Sequence, residues 1–121
     1  NFIWPVKGKL LSKYGKSKEG FYNDGINIDS KKGTKVMSSQ AGKVIYCGNE
    51  IPGYGNLILI KHSKNWITAY AHLNEVFTEK GKNVSKGEII GSVGNTGNVR
   101  SPQLHFEIRK GKESVNPLKL L

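Results

Sequence analysis

Leu104, Phe106 and Ile108 alternate with Gln103, His105, Glu107 and Arg109 near the end of the chain. A period of two predicts a strand with one face on a core and a polar row along the other, open face, so Gln103 and His105 stand side by side. The same alternation recurs upstream, where Ile26 and Ile28 sit against Gly25, Asn27 and Asp29. Further strands are predicted over Lys9 to Tyr14, Thr34 to Met37 and Gly42 to Cys47, the last two around a turn at Ala41-Gly42. Leu57 to His62 is an apolar run short enough for a central strand, Asn65 to Leu73 follows as the next, and Lys86 to Gly91 is a short one. Trp4 to Gly8 reads as an extended entering segment, Lys16 to Gly20 as a polar loop, and Ile51 to Asn56 as a turn-rich hairpin connection. Asn74 to Asn83 is a charged connection with room for a helical turn, and Gly94 to Asn98 is a loop whose glycines answer to positive φ or, alternatively, to an anion-binding nest. These elements make an all-β chain of antiparallel sheets.

The 121 residues, 36% of them hydrophobic, suit one domain with one modest core. Fifteen glycines favour short strands joined by tight turns. Cys47, the only cysteine, excludes an internal disulfide and lies within Lys43 to Cys47, where a buried small residue fits better than a nucleophile. The formal charge of +10 draws the surface toward acidic polymers, anionic lipid or an acidic protein, yet the lysines are scattered and no aromatic-interleaved nucleic-acid motif accompanies them. No run is long and apolar enough to span a bilayer, and the abrupt opening at Asn1 to Trp4 suggests the C-terminal part of a longer protein.

The strand Leu104-His105-Phe106-Glu107, the Lys110-Gly111 turn and Val115 to Leu118 resemble the closing segment of the lysostaphin-type (LytM) zinc endopeptidases, which cut peptidoglycan cross-bridges. The opening aromatic-Pro-Val-x-Gly, the stretch from Asn23 to Lys32-Gly33-Thr34, and Tyr70-Ala71-His72-Leu73 match the same family, so the resemblance covers essentially the whole chain. It implies antiparallel sheets with loops flanking a groove. It also implies zinc ligands at Asn23, Asn27 and His105, and catalytic imidazoles at His72 and Gln103. Three of these five positions hold amides here. Zinc favours imidazole, thiolate or carboxylate, and neutral amide oxygens are poor substitutes. The expectation is therefore no metal, no cofactor and no hydrolysis, with Asn23, Asn27, His72, Gln103 and His105 surviving as a binding groove.

Gly53-Tyr54-Gly55-Asn56 before Lys61-His62 looks like the NlpD-type murein hydrolase activators of the same superfamily. That likeness implies a cell-wall amidase as partner, a periplasmic or outer-membrane-associated setting in the bacterial envelope, and a role in cell division. Two other readings compete. A rearranged zinc site could use Asp29, His72 and His105 if the first motif slid by two residues, and a peptidoglycan-binding module could use the groove and the positive charge alone. A biotinyl- or lipoyl-like carrier, prompted by Val84 to Gly91, lacks a carrier lysine at a hairpin tip. His62 reads as a satisfied core or rim histidine, and Glu107 and Arg109 as an ordinary solvated face.

Overall fold

A computed structural model describes residues 1–121. In chain order the strands are β1 (Lys9–Ser12), β2 (Gly15–Lys16), β3 (Tyr22–Asn23), β4 (Ile26–Asp29), β5 (Lys35–Met37), β6 (Gly42–Gly48), β7 (Asn56–Lys61), β8 (Trp66–Val76), β9 (Asn83–Val84), β10 (Ile89–Val93), β11 (Gln103–Lys110) and β12 (Glu113–Val115). Short 3-10 turns occupy Ser63–Asn65 and Pro117–Lys119. Ten strands form one antiparallel sheet with the central order β1-β4-β11-β8-β7-β6-β9, in which β5 and β10 pair beside β8 and β12 pairs with β11. The remaining two, β2 and β3, make a small separate hairpin.

Alternation decides which side of this sheet is dry. Ile26 and Ile28 of β4, Leu104, Phe106 and Ile108 of β11, Tyr70 of β8 and Ile58 and Ile60 of β7 are all fully buried in one core. Their neighbours in sequence point the other way. The second side carries a much smaller apolar cluster of Leu57, Ala69 and Ala71.

Three sequence expectations are corrected. The strands on either side of Ala41 exist but do not pair with each other: β5 pairs with β10, whereas β6 pairs with β7 and β9. No helical turn forms between Asn74 and Asn83, because β8 continues to Val76, paired with Gly91, and the Phe77 N–H then donates to the Ile90 carbonyl. Strand pairing takes the backbone groups a helix would need. Glu107 and Arg109 do not form a solvated face: Glu107 is 2% exposed and hydrogen-bonded on both carboxylate oxygens.

Two backbone features position the groove. Gly25 lies where β4 crosses β11, and a Cβ there would sit 2.2 Å from the Phe106 carbonyl oxygen, so only glycine lets the corner close. In β8, the register against β7 shifts between Asn56↔Leu73 and Ile58↔Tyr70, which is a bulge at Ala71-His72. His72 takes φ 65 at this bulge. The extra residue leaves Tyr70 and Leu73 in the core while His72 is turned to the opposite side.

Candidate functional site

A cavity of about 410 Å³ opens on the second side of the sheet. Tyr22, Asn23 and Asp24 wall it on one side, Pro52 to Tyr54 and Asn98-Val99 on the other, and Asn27, His72, His105 and Glu107 line the floor. Four of the five residues expected in a groove are thus brought together around one hollow. Gln103 lies next to it, joined through its Oε1, which accepts from Asn27 Nδ2 at 2.8 Å.

The amides are bonded to one another in a fixed direction. The Gly25 N–H donates to Asn23 Oδ1 at 3.0 Å, which leaves Asn23 Nδ2 to donate to Asn27 Oδ1 at 3.0 Å and to Ser12 Oγ at 2.9 Å. Asn27 Oδ1 is then an acceptor, and it faces His105 Nδ1 at 3.0 Å. On the other edge of the ring, His105 Nε2 meets Glu107 Oε2 at 2.7 Å. Both ring nitrogens thus face oxygens. Register explains the assembly: His105 stands opposite Asn27 on β4 and Ala71 on β8, so a small side chain on one flank leaves room for the polar chain on the other.

Glu107 ties the cluster to a second set of residues that the sequence reading missed. Its Oε1 accepts from Arg109 Nε at 2.7 Å and its Oε2 also accepts from Tyr54 OH at 3.1 Å. Burial pushes the Glu107 carboxyl up, but hydrogen bonds and positive charge from His105 and Arg109 outweigh it and hold the group below the usual carboxylate range. Burial and the carboxylate together push the Tyr54 hydroxyl up. Arg109 reaches on to Asp24 at 3.7 Å and donates to the Lys112 carbonyl at 3.0 Å. Asp24 occupies a bend rather than an extended strand, so it lines the same hollow as Asn23 instead of the opposite face. Alternation in the sequence puts His105, Glu107 and Arg109 on one strand face, but the space beside the first two comes from their register partners on the next strand, Ala71 and Ala69, which only the fold reveals.

His72 is held differently. Its Nδ1 donates to the Thr96 carbonyl at 2.8 Å, leaving Nε2 as an acceptor toward the hollow. Burial lowers its pKa, the Thr96 bond offsets part of that, and the neighbouring His105 lowers it further. The loop carrying Thr96 is fixed by close packing. Gly97 has φ 81 and lies so near the backbone of Gly53 that a Cβ would stand 2.6 Å from the Gly53 carbonyl oxygen. This loop is a strut for His72, with the Asn98 N–H already donating to the Gly53 carbonyl.

Zinc is the metal the resemblance implies, and these residues do not fit it. The set at Asn23, Asn27 and His105 offers one imidazole and two neutral amides, and the imidazole and amide groups are turned on one another. No group of three or more His, Cys, Asp or Glu side chains is placed to hold a metal ion. The rearranged set is not assembled either: β4 keeps Asn27 opposite His105, so Asp29 stands opposite Gln103, while the rings of His72 and His105 are 6.0 Å apart between centroids.

Comparison with known proteins places this geometry. Residues 21–117 match the model of Peptidase family M23. The chain is 47% identical over 108 residues to the cell division protein DipM of Caulobacter vibrioides, covering 89% of the chain and 18% of DipM. It is 42% identical over 118 residues to the murein hydrolase activator NlpD of Escherichia coli, covering 98% of the chain and 30% of NlpD. The chain therefore spans less than a third of either relative. Among solved structures, the catalytic domain of the antimicrobial peptidase lysostaphin from Staphylococcus simulans superposes with a TM-score of 0.88 at 26% identity, covering 93% of this chain and 91% of that one. The all-β sheet and the matched span agree, and the chain belongs to Peptidase family M23.

Proposed function

We propose that this domain is a catalytically silent M23 domain that activates a cell-wall N-acetylmuramoyl-L-alanine amidase in the bacterial envelope, and so regulates peptidoglycan hydrolysis at division. One observation carries the reading: the positions that resemble zinc ligands are amides bonded to one another and to His105. Without a metal there is nothing to polarise a scissile carbonyl or to bring the pKa of water toward neutrality, the two services a metallopeptidase needs. The likeness to proteins named as a murein hydrolase activator and a cell division protein supports the direction of the proposal.

The mechanism follows from the shape. A groove walled by Tyr22 to Asp24 on one side and Pro52 to Tyr54 on the other can receive an extended or helical segment of a partner. If that segment is the one blocking the amidase active site, binding it only when displaced raises the fraction of open enzyme. His72 Nε2 and the outer edges of Asn23 and Tyr54 are the polar contacts available along the way.

The test combines purified domain, purified amidase and isolated sacculi. The domain alone is expected to release no cell-wall fragments and to carry far less than one zinc per chain after purification in zinc-containing buffer. Added to its amidase, it raises fragment release several-fold. Fragment release by the domain alone that a chelator abolishes, or one tightly held zinc per chain, would overturn the proposal.

A further inference from the structure

The largest cavity of the molecule is not the amide groove. A hollow of about 770 Å³ lies under the β2–β3 hairpin, between it and the segment from Leu11 to Tyr14, and Tyr22 and Asn23 border both spaces. Its character differs from that of the groove floor. Lys13, Lys16 and Lys18 line it against the single acid Glu19, and only 4 of its 12 lining residues are hydrophobic.

The aromatic residues at this hollow are open to solvent but firmly mounted. Phe21 is 77% exposed and Tyr22 62% exposed. Below them, Tyr22 OH donates to Tyr14 OH at 3.1 Å, Tyr14 OH donates to the Ser114 carbonyl at 2.9 Å, and Asn23 Nδ2 fixes the strand end on Ser12. Across the hairpin the Ser17 N–H donates to the Phe21 carbonyl at 2.7 Å. Exposed aromatic rings on a braced hairpin are a platform for something flat, since nothing in the fold covers them. A mostly polar hollow with three cations excludes an apolar helix as the natural occupant; the apolar hollow of about 220 Å³ at Ile51, Leu57 and Leu59 is the place for a partner's aliphatic side chain. Sugar rings present C–H faces to aromatic rings, and carboxylates along the same polymer meet the lysines.

We propose that the hollow beneath the β2–β3 hairpin binds a carboxylate-bearing glycan strand, with Phe21 and Tyr22 stacking on sugar rings and Lys13, Lys16 and Lys18 taking the carboxylates. The inference rests on the cell-wall reading above, but not on the amidase. It gives the domain two separate faces, a groove for the protein partner and a platform for the polymer that partner cuts, joined at Tyr22-Asn23.

Co-sedimentation with isolated sacculi tests it, together with titration by a soluble disaccharide-tetrapeptide fragment, neutral chitotetraose and a polyglutamate peptide. The parent domain is expected to sediment with sacculi in a salt-sensitive manner and to bind the acidic fragment at least tenfold more tightly than chitotetraose or polyglutamate. The triple variant Lys13→Ser, Lys16→Ser, Lys18→Ser and the single variant Phe21→Ala each lower sacculus binding by about tenfold while capturing purified amidase as the parent does. Replacing the three lysines by arginine preserves binding. Thermal midpoints within a few degrees of the parent show that the variants fold. Polyglutamate binding as tight as the fragment would overturn the glycan assignment in favour of an acidic protein segment, and unchanged sacculus binding by the variants would remove the platform. Failure of the parent to bind sacculi sinks this inference alone, because amidase stimulation judges the other proposal independently.

Discussion

The two sides of the central sheet are built from the same strands by alternate residues, and they solve opposite problems. On the core side, Phe106, Ile108, Tyr70, Ile58 and Ile60 are filled against one another with no exposure. On the groove side the rows step from polar to small to aliphatic: His105, Glu107 and Arg109 on β11, Ala71, Ala69 and Ile67 on β8, then Leu59 and Leu57 on β7. The alanines opposite His105 and Glu107 keep the floor low. A side packed with branched residues specifies the fold, whereas a side stepped in this way leaves a trough with a buried charge network along one bank.

Truncation separates the two sides most sharply. Phe106→Ala removes a fully buried ring that touches Tyr70, at 5.4 Å between centroids, and is expected to cost about 3–5 kcal/mol through lost burial and the cavity left behind. Urea unfolding measures it. A cost below about 1 kcal/mol would mean that the core side is not the close-packed one.

The next variant acts one residue away on the other side. Glu107→Ala takes the common acceptor from His105, Arg109 and Tyr54, leaving three donors aimed at an empty space. Removing one partner from a buried ionic network costs roughly 3–5 kcal/mol, and the partial exposure of Arg109 reduces that here to about 2–3 kcal/mol. Because the folded carboxyl sits below its usual range, its contribution is present above the unfolded carboxylate pKa and lost as pH falls through the folded value. The variant should therefore lose less stability than the parent between pH 7 and pH 3. Amidase stimulation is expected to fall with it, whereas sacculus binding at the hairpin is not. Equal acid sensitivity of parent and variant would show that Glu107 is not the anchor of this network.

Much of this was legible from period-two patterning, because alternation is the physical cause of sheet sidedness. The predicted runs around Ile26, Leu57, Trp66 and Leu104 all became strands, and Asn23, Asn27, His72 and His105 meet around one hollow with Gln103 bonded beside it. Pairing partners were not legible. Nothing local in Thr34 to Met37 tells that its edge will meet β10 more than fifty residues later instead of β6 nearby. Burial of Glu107 was equally hidden, since its identity suggests solvent and only the register with Ala69 makes room for it. The helical turn expected after Asn74 failed for the same reason, a distant strand claiming its backbone.

A single polar thread crosses the core side and gives the smallest of these effects. The Ala41 carbonyl accepts from His62 Nδ1 at 2.7 Å, so Nε2 is left to accept from Thr68 Oγ1 at 2.7 Å, which in turn accepts from Tyr70 OH at 2.7 Å, while that hydroxyl accepts from the Ser39 N–H at 2.9 Å. Every member is satisfied by a neutral imidazole. Burial lowers the His62 pKa, with the Ala41 bond offsetting part of the effect. An unfolded chain takes up this proton as pH drops through about 6.5, whereas the folded one resists until lower pH. The stability it supports is thus whole above that value and declines below it. His62→Gln keeps a donor for Ala41 and an acceptor for Thr68 without a titrating proton, so it is expected to cost about 0.5–1.5 kcal/mol at pH 8 and to lose less on going to pH 5 than the parent does. Urea unfolding of both proteins at the two pH values reads this difference. A gap between them that stays constant with pH would mean that the thread tolerates a charged histidine, and that the core side is less dry than its packing implies.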